Sequence, residues 1–166
     1  MASLEMPYLN SEMRHRIRNE TNEFIEKQGF RWWLTANFNR ETTKEQGFKK
    51  LREWQSRIDR ALHGRYYYNK KKDERLFFIA CPETGGYSEC LHYHIFAQMP
   101  ENSEEEFKLI AEPTWLQLVK CGSLDVQEIG DTKADKERVI GYGLKEVWVG
   151  SNYENFIIST QFSSVH

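Results

Sequence analysis

The segment Leu91-His92-Tyr93-His94-Ile95-Phe96-Ala97 narrows most what this chain can fold into. Apolar residues surround its two imidazoles, so it reads as a strand buried in a sheet. Side chains two apart on a strand share a face, so His92 and His94 leave the sheet side by side. Neutral imidazoles placed this way suit one divalent ion, and an added carboxylate shifts the preference toward harder ions such as Mg²⁺ or Mn²⁺. The same pair also reads as two half-buried histidines hydrogen-bonded to neighbours. The rest of the chain has to separate the two readings.

Patterned segments surround this strand. Residues 9–28 are polar and sparsely apolar, a helix ended by Gly29. Residues 31–39 form a strand with Leu34, Ala36 and Phe38 on one face and Thr35, Asn37 and Asn39 on the other. Thr42-x-x-Glu45 is a capping box that opens a helix to about Leu62, closed by His63-Gly64. Tyr66–Tyr68 reads as a short strand and 69–73 as an exposed turn. Leu76 to Cys81 is a buried strand, joined to 91–99 through the loop from Pro82 to Cys90, and the pair reads as a hairpin.

Further on, Ser103-x-x-Glu106 caps a helix through about Ile110 that resumes after Pro113. Gly122 to Ile129 is a strand, Asp131 or Thr132 begins a helix to about Val149, and Asn155 to Thr160 is a last strand. The fold class is therefore α+β, with a ferredoxin-like or RRM-like β-α-β-β-α-β core. Its first and third strands are central neighbours, so Thr35, Asn37, His92, His94 and Gln98 share one polar wall. Each polar group on a sheet face costs free energy unless paired, so the wall is either a site or a face covered by a polar helix.

Glu83, at the end of the strand hairpinned to 91–99, is the favoured third ligand over Glu89 in the loop. A zinc set of Cys81, Cys90, His92 and His94 is an alternative, although Cys-x8-Cys-x-His-x-His is no standard zinc spacing. Tyr142 and Lys145 lie three apart, on one helix face. A phenol with an ordinary pKa near ~10 is a poor nucleophile at neutral pH, and a nearby cation improves it. Gly141 and Gly143 each cost a helix about 1 kcal/mol relative to Ala, which points to close approach of something such as a DNA strand, or to a bend. Ile140, Leu144 and Val147 form a separate stripe that packs on the sheet. Together these residues suggest metal-assisted cleavage of a phosphodiester by a tyrosine.

A length of 166 residues suits one domain. No apolar run spans a bilayer, the N-terminus lacks a signal-peptide layout, and three cysteines imply no disulfide framework. The expectation is an intracellular, cytoplasmic protein of a prokaryotic or virus-infected cell, with no membrane partner. Net charge is −2, but residues 1–80 hold 17 Lys and Arg against 11 Asp and Glu, and residues 81–166 hold 6 against 14. A basic half could track phosphates while acidic residues elsewhere hold a metal. Lys49, Lys50, Arg52, Arg57 and Arg60 stud the second helix, and Tyr66–Tyr68 with Lys70, Lys71 and Lys72 mix rings and cations as a single-strand platform would. A solvated helix face reads the same way.

His-hydrophobic-His on a central strand, followed by Tyr-x-x-Lys, resembles the HUH endonucleases of the rolling-circle replication-initiator (Rep) type. Leu34-Thr35-Ala36-Asn37-Phe38-Asn39 is similar to that family's first motif, His92-Tyr93-His94 to its second, Glu83 to its upstream acidic ligand, and Tyr142 to Lys145 to its third. The likeness spans about 31–149, with the motifs in order.

It implies a single HUH domain over residues 1–166 with a five-stranded antiparallel sheet, Mg²⁺ or Mn²⁺ dependence, and nicking of single-stranded DNA at a replication origin. The products are a 5′-phosphotyrosine and a free 3′-OH that primes rolling-circle replication, and the ends are rejoined by the reverse step. His92, His94 and Glu83 would hold the metal, Tyr142 and Lys145 would be catalytic, and Thr35, Asn37, Asn39, Lys49, Arg52, Lys70 and Lys71 are candidate DNA contacts. No Gly-x-x-x-x-Gly-Lys-Ser/Thr motif is present, so a host helicase and polymerase would be partners. The helix at 9–28 has no counterpart. Relaxases place the tyrosine before the histidines, which argues against them. An HUH transposase shares the order found here, and a non-catalytic ferredoxin-like nucleic-acid-binding domain is the alternative of a different class.

Overall fold

The computed structural model describes residues 11–84, 90–145 and 156–164. In chain order these form α1 (Ser11–Gln28), β1 (Trp32–Asn37), α2 (Lys44–His63), β2 (Phe77–Thr84), β3 (Leu91–Gln98), α3 (Glu104–Leu118), β4 (Ser123–Glu128), α4 (Lys133–Gly143) and β5 (Ile157–Ile158). The strands make one sheet in the order β4-β1-β3-β2-β5, antiparallel throughout. This is the α+β, ferredoxin-like arrangement, with β1 and β3 at its centre.

Strand alternation sorts the side chains onto two faces. Trp32, Leu34, Ala36, Phe78, Ala80, Tyr93, Ile95 and Ala97 face one layer, where Leu51, Trp54 and Ile58 of α2 meet Phe107, Ala111 and Trp115 of α3. Trp33, Phe77, Ile79, Cys81 and Phe96 face the other, where Ile25 of α1 and Ile140 of α4 join them. Leu144, just past α4, belongs to this second layer as well. The N-terminal helix thus covers part of the polar-bearing face, through a single buried residue, Ile25, while Met13 and Phe24 stay exposed. Gly29 and Gly64 follow α1 and α2 at φ 67° and 82°, the left-handed region that glycine enters at no steric cost.

Several local expectations are corrected. The capping box sits one residue later: Thr43 Oγ1 accepts the Gln46 N–H at 3.1 Å, and Gln46 Oε1 accepts the Thr43 N–H at 3.0 Å. Tyr66–Tyr68 is no strand. Tyr67–Asn69 is a 3-10 turn, and a second one follows at Lys72–Glu74. Strand β2 runs on through Pro82 to Thr84. On its outer edge β5 pairs with Ile79 and Ala80, and among the described residues none pairs with Pro82 there, which suits its missing N–H. Helix α3 passes through Pro113 without a break. The carbonyl Pro113 leaves without a donor is that of Leu109, an exposed residue where water can take its place. Ser103 precedes α3 without making a side-chain cap bond. β5 is two residues, followed by a 3-10 segment at Ser159–Ser164. Helix α4 ends at Gly143, and Val147, Val149, Asn155 and Glu89 lie outside the described residues.

Candidate metal centre and tyrosine

Register alone brings the acidic and imidazole groups together. Glu83 pairs with His92 across β2–β3, and His92 pairs with Asn37 across β3–β1. Cys81, His94 and Thr35 form the next row. Glu83, His92 and His94 each offer a ligand atom, and those atoms lie within 4.8 Å of one another. Among the described residues neither Cys81 nor Cys90 joins that cluster, so the thiol-based zinc set does not assemble.

Each histidine is held at its inner nitrogen. His92 Nδ1 lies 3.4 Å from the Cys90 carbonyl, to which it donates, so in the neutral ring Nε2 carries the lone pair. That lone pair faces Glu83 Oε2 at 3.5 Å. Two acceptors facing each other are what a cation between them satisfies, so the donor set fits a divalent ion. His94 Nε2 donates to the same Oε2 at 2.8 Å. On its other side His94 Nδ1 meets Thr35 Oγ1 at 3.4 Å, and a hydroxyl there can donate or accept. Thr35 can therefore serve His94 with its Nε2 protonated, as here, or with that nitrogen freed to ligate.

The two oxygens of Glu83 look in different directions. Oε2 serves the imidazoles, and Oε1 meets Lys145 Nζ at 3.2 Å. Burial by itself would raise the Glu83 carboxyl. Hydrogen bonds from Lys145 and His94 and the electrostatic pull of the two imidazoles outweigh it and hold the carboxyl below its ordinary range. For His94, burial comes first and lowers its basicity against the pull of Glu83, which favours the neutral ring that ligates metals. Lys145 loses basicity to burial and regains more from Glu83 and Tyr142, so it remains a cation.

Tyr142 is on the last turn of α4. Its ring stands edge-on to His94 at 5.3 Å and to Trp33 at 6.2 Å, and the residue is 55% exposed. Lys145 lies beyond the end of α4 and not on a shared helix face, yet its ammonium rests over the Tyr142 ring at 4.4 Å. The two glycines differ. A Cβ on Gly143 would stand 2.5 Å from the Trp33 ring, whereas one on Gly141 meets nothing within 4 Å. Gly143 therefore lets the indole pack under α4, and Gly141 leaves an open approach to the tyrosine.

Trp33 is the residue that sequence reasoning missed. It stacks on His94 at 5.0 Å and 8°, and its place two residues before Thr35 on one strand face is the signal that could have found it. Asn37 lies in the wall as expected, but its side chain donates to Ser123 Oγ at 3.2 Å. Asn39, at φ 54°, donates to the Cys121 carbonyl at 3.0 Å. Lys49, Arg52, Lys70 and Lys71 are not brought to this centre. Lys49 and Arg52 ride on α2, whose apolar side packs on the opposite face of the sheet. Lys70 and Lys71 belong to the 3-10 turns beside α2.

Among the described residues, no helix is long and apolar enough to cross a membrane. No family model and no curated protein matches the chain. Among solved structures it is similar to the hypothetical protein ORF119 from Sulfolobus islandicus rod-shaped virus 1, at 18% identity over 76% of this chain and 90% of that one. The TM-score is 0.43, a likeness too loose to carry a functional reading.

Proposed function

We propose that this chain is a metal-dependent, single-tyrosine endonuclease and strand transferase of the HUH Rep type, acting on single-stranded DNA at a replication origin to initiate rolling-circle replication. The observation that supports it is the convergence of Glu83, His92 and His94 beside an exposed tyrosine under a lysine ammonium. Glu83, His92 and His94 would hold Mg²⁺ or Mn²⁺. The ion would polarise the scissile phosphate and orient it for in-line attack.

The chain's own residues do the rest. Tyr142 Oη attacks phosphorus, losing its proton to solvent, as the bond to the 3′ oxygen breaks. That oxygen leaves with the electron pair, takes a proton and becomes a free 3′-OH, while the phosphate stays on Tyr142 as a 5′-phosphotyrosine. Lys145 stabilises the phenolate before attack and the added charge on the phosphoryl group during it. The ester keeps the bond energy, so the 3′-OH can attack it and rejoin the strand.

The experiment is adduct formation on a denaturing gel, with single-stranded oligonucleotides covering the replicon's origin and Mn²⁺. A covalent protein–DNA band is expected, lost in Tyr142→Phe and in His92→Ala. A band that survives Tyr142→Phe removes this residue as nucleophile. No band with any origin oligonucleotide would favour a binding module without chemistry.

A further inference from the structure

The connection from α2 to β2 puts three successive tyrosines, Tyr66 to Tyr68, into residues 65–75, which hold five Lys and Arg against two Asp and Glu. Its first part is a built turn. Gly64 leads the chain out of α2 at φ 82°, and its carbonyl accepts the Tyr67 N–H at 3.2 Å. The Tyr66 and Tyr67 carbonyls then accept the Asn69 and Lys70 N–H groups, each at 3.0 Å. Successive residues of a 3-10 turn point about 120° apart, so the three rings fan out. Tyr67 takes the inward direction, where its hydroxyl shares a hydrogen bond with Ser56 Oγ of α2 at 2.5 Å. Tyr66 and Tyr68 are left outside, 55% and 48% exposed.

The two outer rings meet edge-on, at 6.2 Å and 73°, and are not stacked on each other, which leaves ring surface for a flat partner. Cations are set against aromatic rings around them. The Arg65 guanidinium lies over the Tyr66 ring at 4.6 Å, and the Lys72 ammonium lies over the Phe77 ring, at the start of β2, at 3.8 Å. One of the two carboxylates is engaged by the backbone, since Glu74 Oε2 accepts the Lys71 N–H at 2.8 Å. A partner that suits this turn offers flat faces alternating with negative charges. An acidic peptide has the charges without the faces, and a duplex keeps its base faces inside.

We propose that this turn is a docking platform for single-stranded DNA, with bases stacked on Tyr66 and Tyr68 and phosphates beside Arg65 and Lys72. Strand β2 starts next to it at Phe77 and reaches Glu83 six residues later, so the platform lies about 20 Å along the sheet from the metal ligands. It holds the strand away from the bond that Tyr142 attacks. The choice of DNA rests on the nuclease reading, whereas the platform stands on the rings and their cations.

The test uses the whole chain in EDTA, so neither an ion nor cleavage enters it. Binding of a fluorescent mixed-sequence oligodeoxynucleotide is followed by anisotropy. Replacing both outer rings, Tyr66→Ala with Tyr68→Ala, should weaken binding at least tenfold, because each stacked base loses its support. The pair Tyr66→Phe and Tyr68→Phe keeps the ring faces and should bind within about twofold of the parent chain. The same sequence as a duplex should bind at least tenfold more weakly, and poly-glutamate should compete poorly. Binding indifferent to the double alanine change, equalled by the duplex, displaced as readily by poly-glutamate as by unlabelled oligonucleotide, or tighter for the RNA counterpart overturns the proposal. Loss of adduct formation with Mn²⁺ is a separate result: it strikes the nuclease reading and leaves the effect of the ring changes in EDTA as measured.

Discussion

The two faces of the sheet are built from the same strands and do opposite work. Under α2 and α3, every cross-strand neighbour of Leu34 and Ile95 is apolar, and all but the partly buried Val126 are closed to water. The other face is graded along its strands: Phe77, Phe96 and Trp33 fill one end, and Glu83, His92, His94, Thr35 and Asn37 hold the other. An apolar layer is satisfied by volume and shape alone, whereas each group on the polar end needs its own partner. Those partners are what fix the imidazole tautomers. Stability and chemistry are thereby assigned to different sides of one sheet.

Truncation on the two sides tests that division most strongly. Trp54→Ala removes a fully buried indole and its bond to the Ala111 carbonyl, and should cost about 3–5 kcal/mol in a urea melt. His94→Ala should cost clearly less in the same melt while abolishing Mn²⁺ binding measured by calorimetry. Equal losses would mean that the polar end is simply more core.

A smaller effect probes the graded face where its two ends meet. Gly143→Ala drives a methyl into Trp33 and should cost about 1–3 kcal/mol. Because Trp33 also stacks on His94, the same change should slow adduct formation. Adding Trp33→Phe gives the methyl room, so the double variant should be more stable than the sum of the two losses, read as a coupling energy from a double-mutant cycle. Simple additivity would show that the glycine answers to something else.

Asp59 is a buried carboxyl on the apolar side, and pH exposes it. Burial raises its carboxyl from the usual 3.8 to about 6, with the Leu76 N–H and Arg75 pulling the other way. The folded state therefore keeps a proton that the unfolded chain gives up between about pH 4 and 6. Through that window this carboxyl makes stability fall as pH rises, by at most about 1.4 kcal/mol per unit. Above about 6 its contribution is flat. Asp59→Asn should remove that component of the slope in melts taken from pH 4 to 7, and an unchanged slope would assign it to other groups.

What could be read in advance follows from how local each cause is. The alternation in 31–39 and 91–99 depends on neighbouring residues and gave the faces, the order of elements gave the central pair of strands, and the hairpin put Glu83 within reach of the histidines, while its register opposite His92 shows only in the structure. Thr42-x-x-Glu45 and Thr43-x-x-Gln46 are overlapping boxes, and only the closed bonds of the second decide between them. Tyr66–Tyr68 have strand-forming rings but, among the described residues, no partner strand to pair with. The stacking of Trp33 on His94 and the clearance at Gly143 arise between segments far apart in sequence: the alternation places Trp33 on the face of Thr35, and only the fold shows what it touches. Lys49 and Arg52 have the right charge for DNA, yet only the layering of helices shows that they face away from the histidines.

The open space over Gly141 has a practical consequence. A side chain there meets no neighbour among the described residues, and replacing the glycine with Ala should strengthen α4 by up to about 1 kcal/mol, the smallest of these effects. A thiol introduced at the same position would stand one residue from Tyr142, on an exposed part of α4. It would carry a fluorophore or a spin label beside the nucleophile, so the arrival of a DNA strand could be timed as an optical or magnetic signal, before any bond is made or broken.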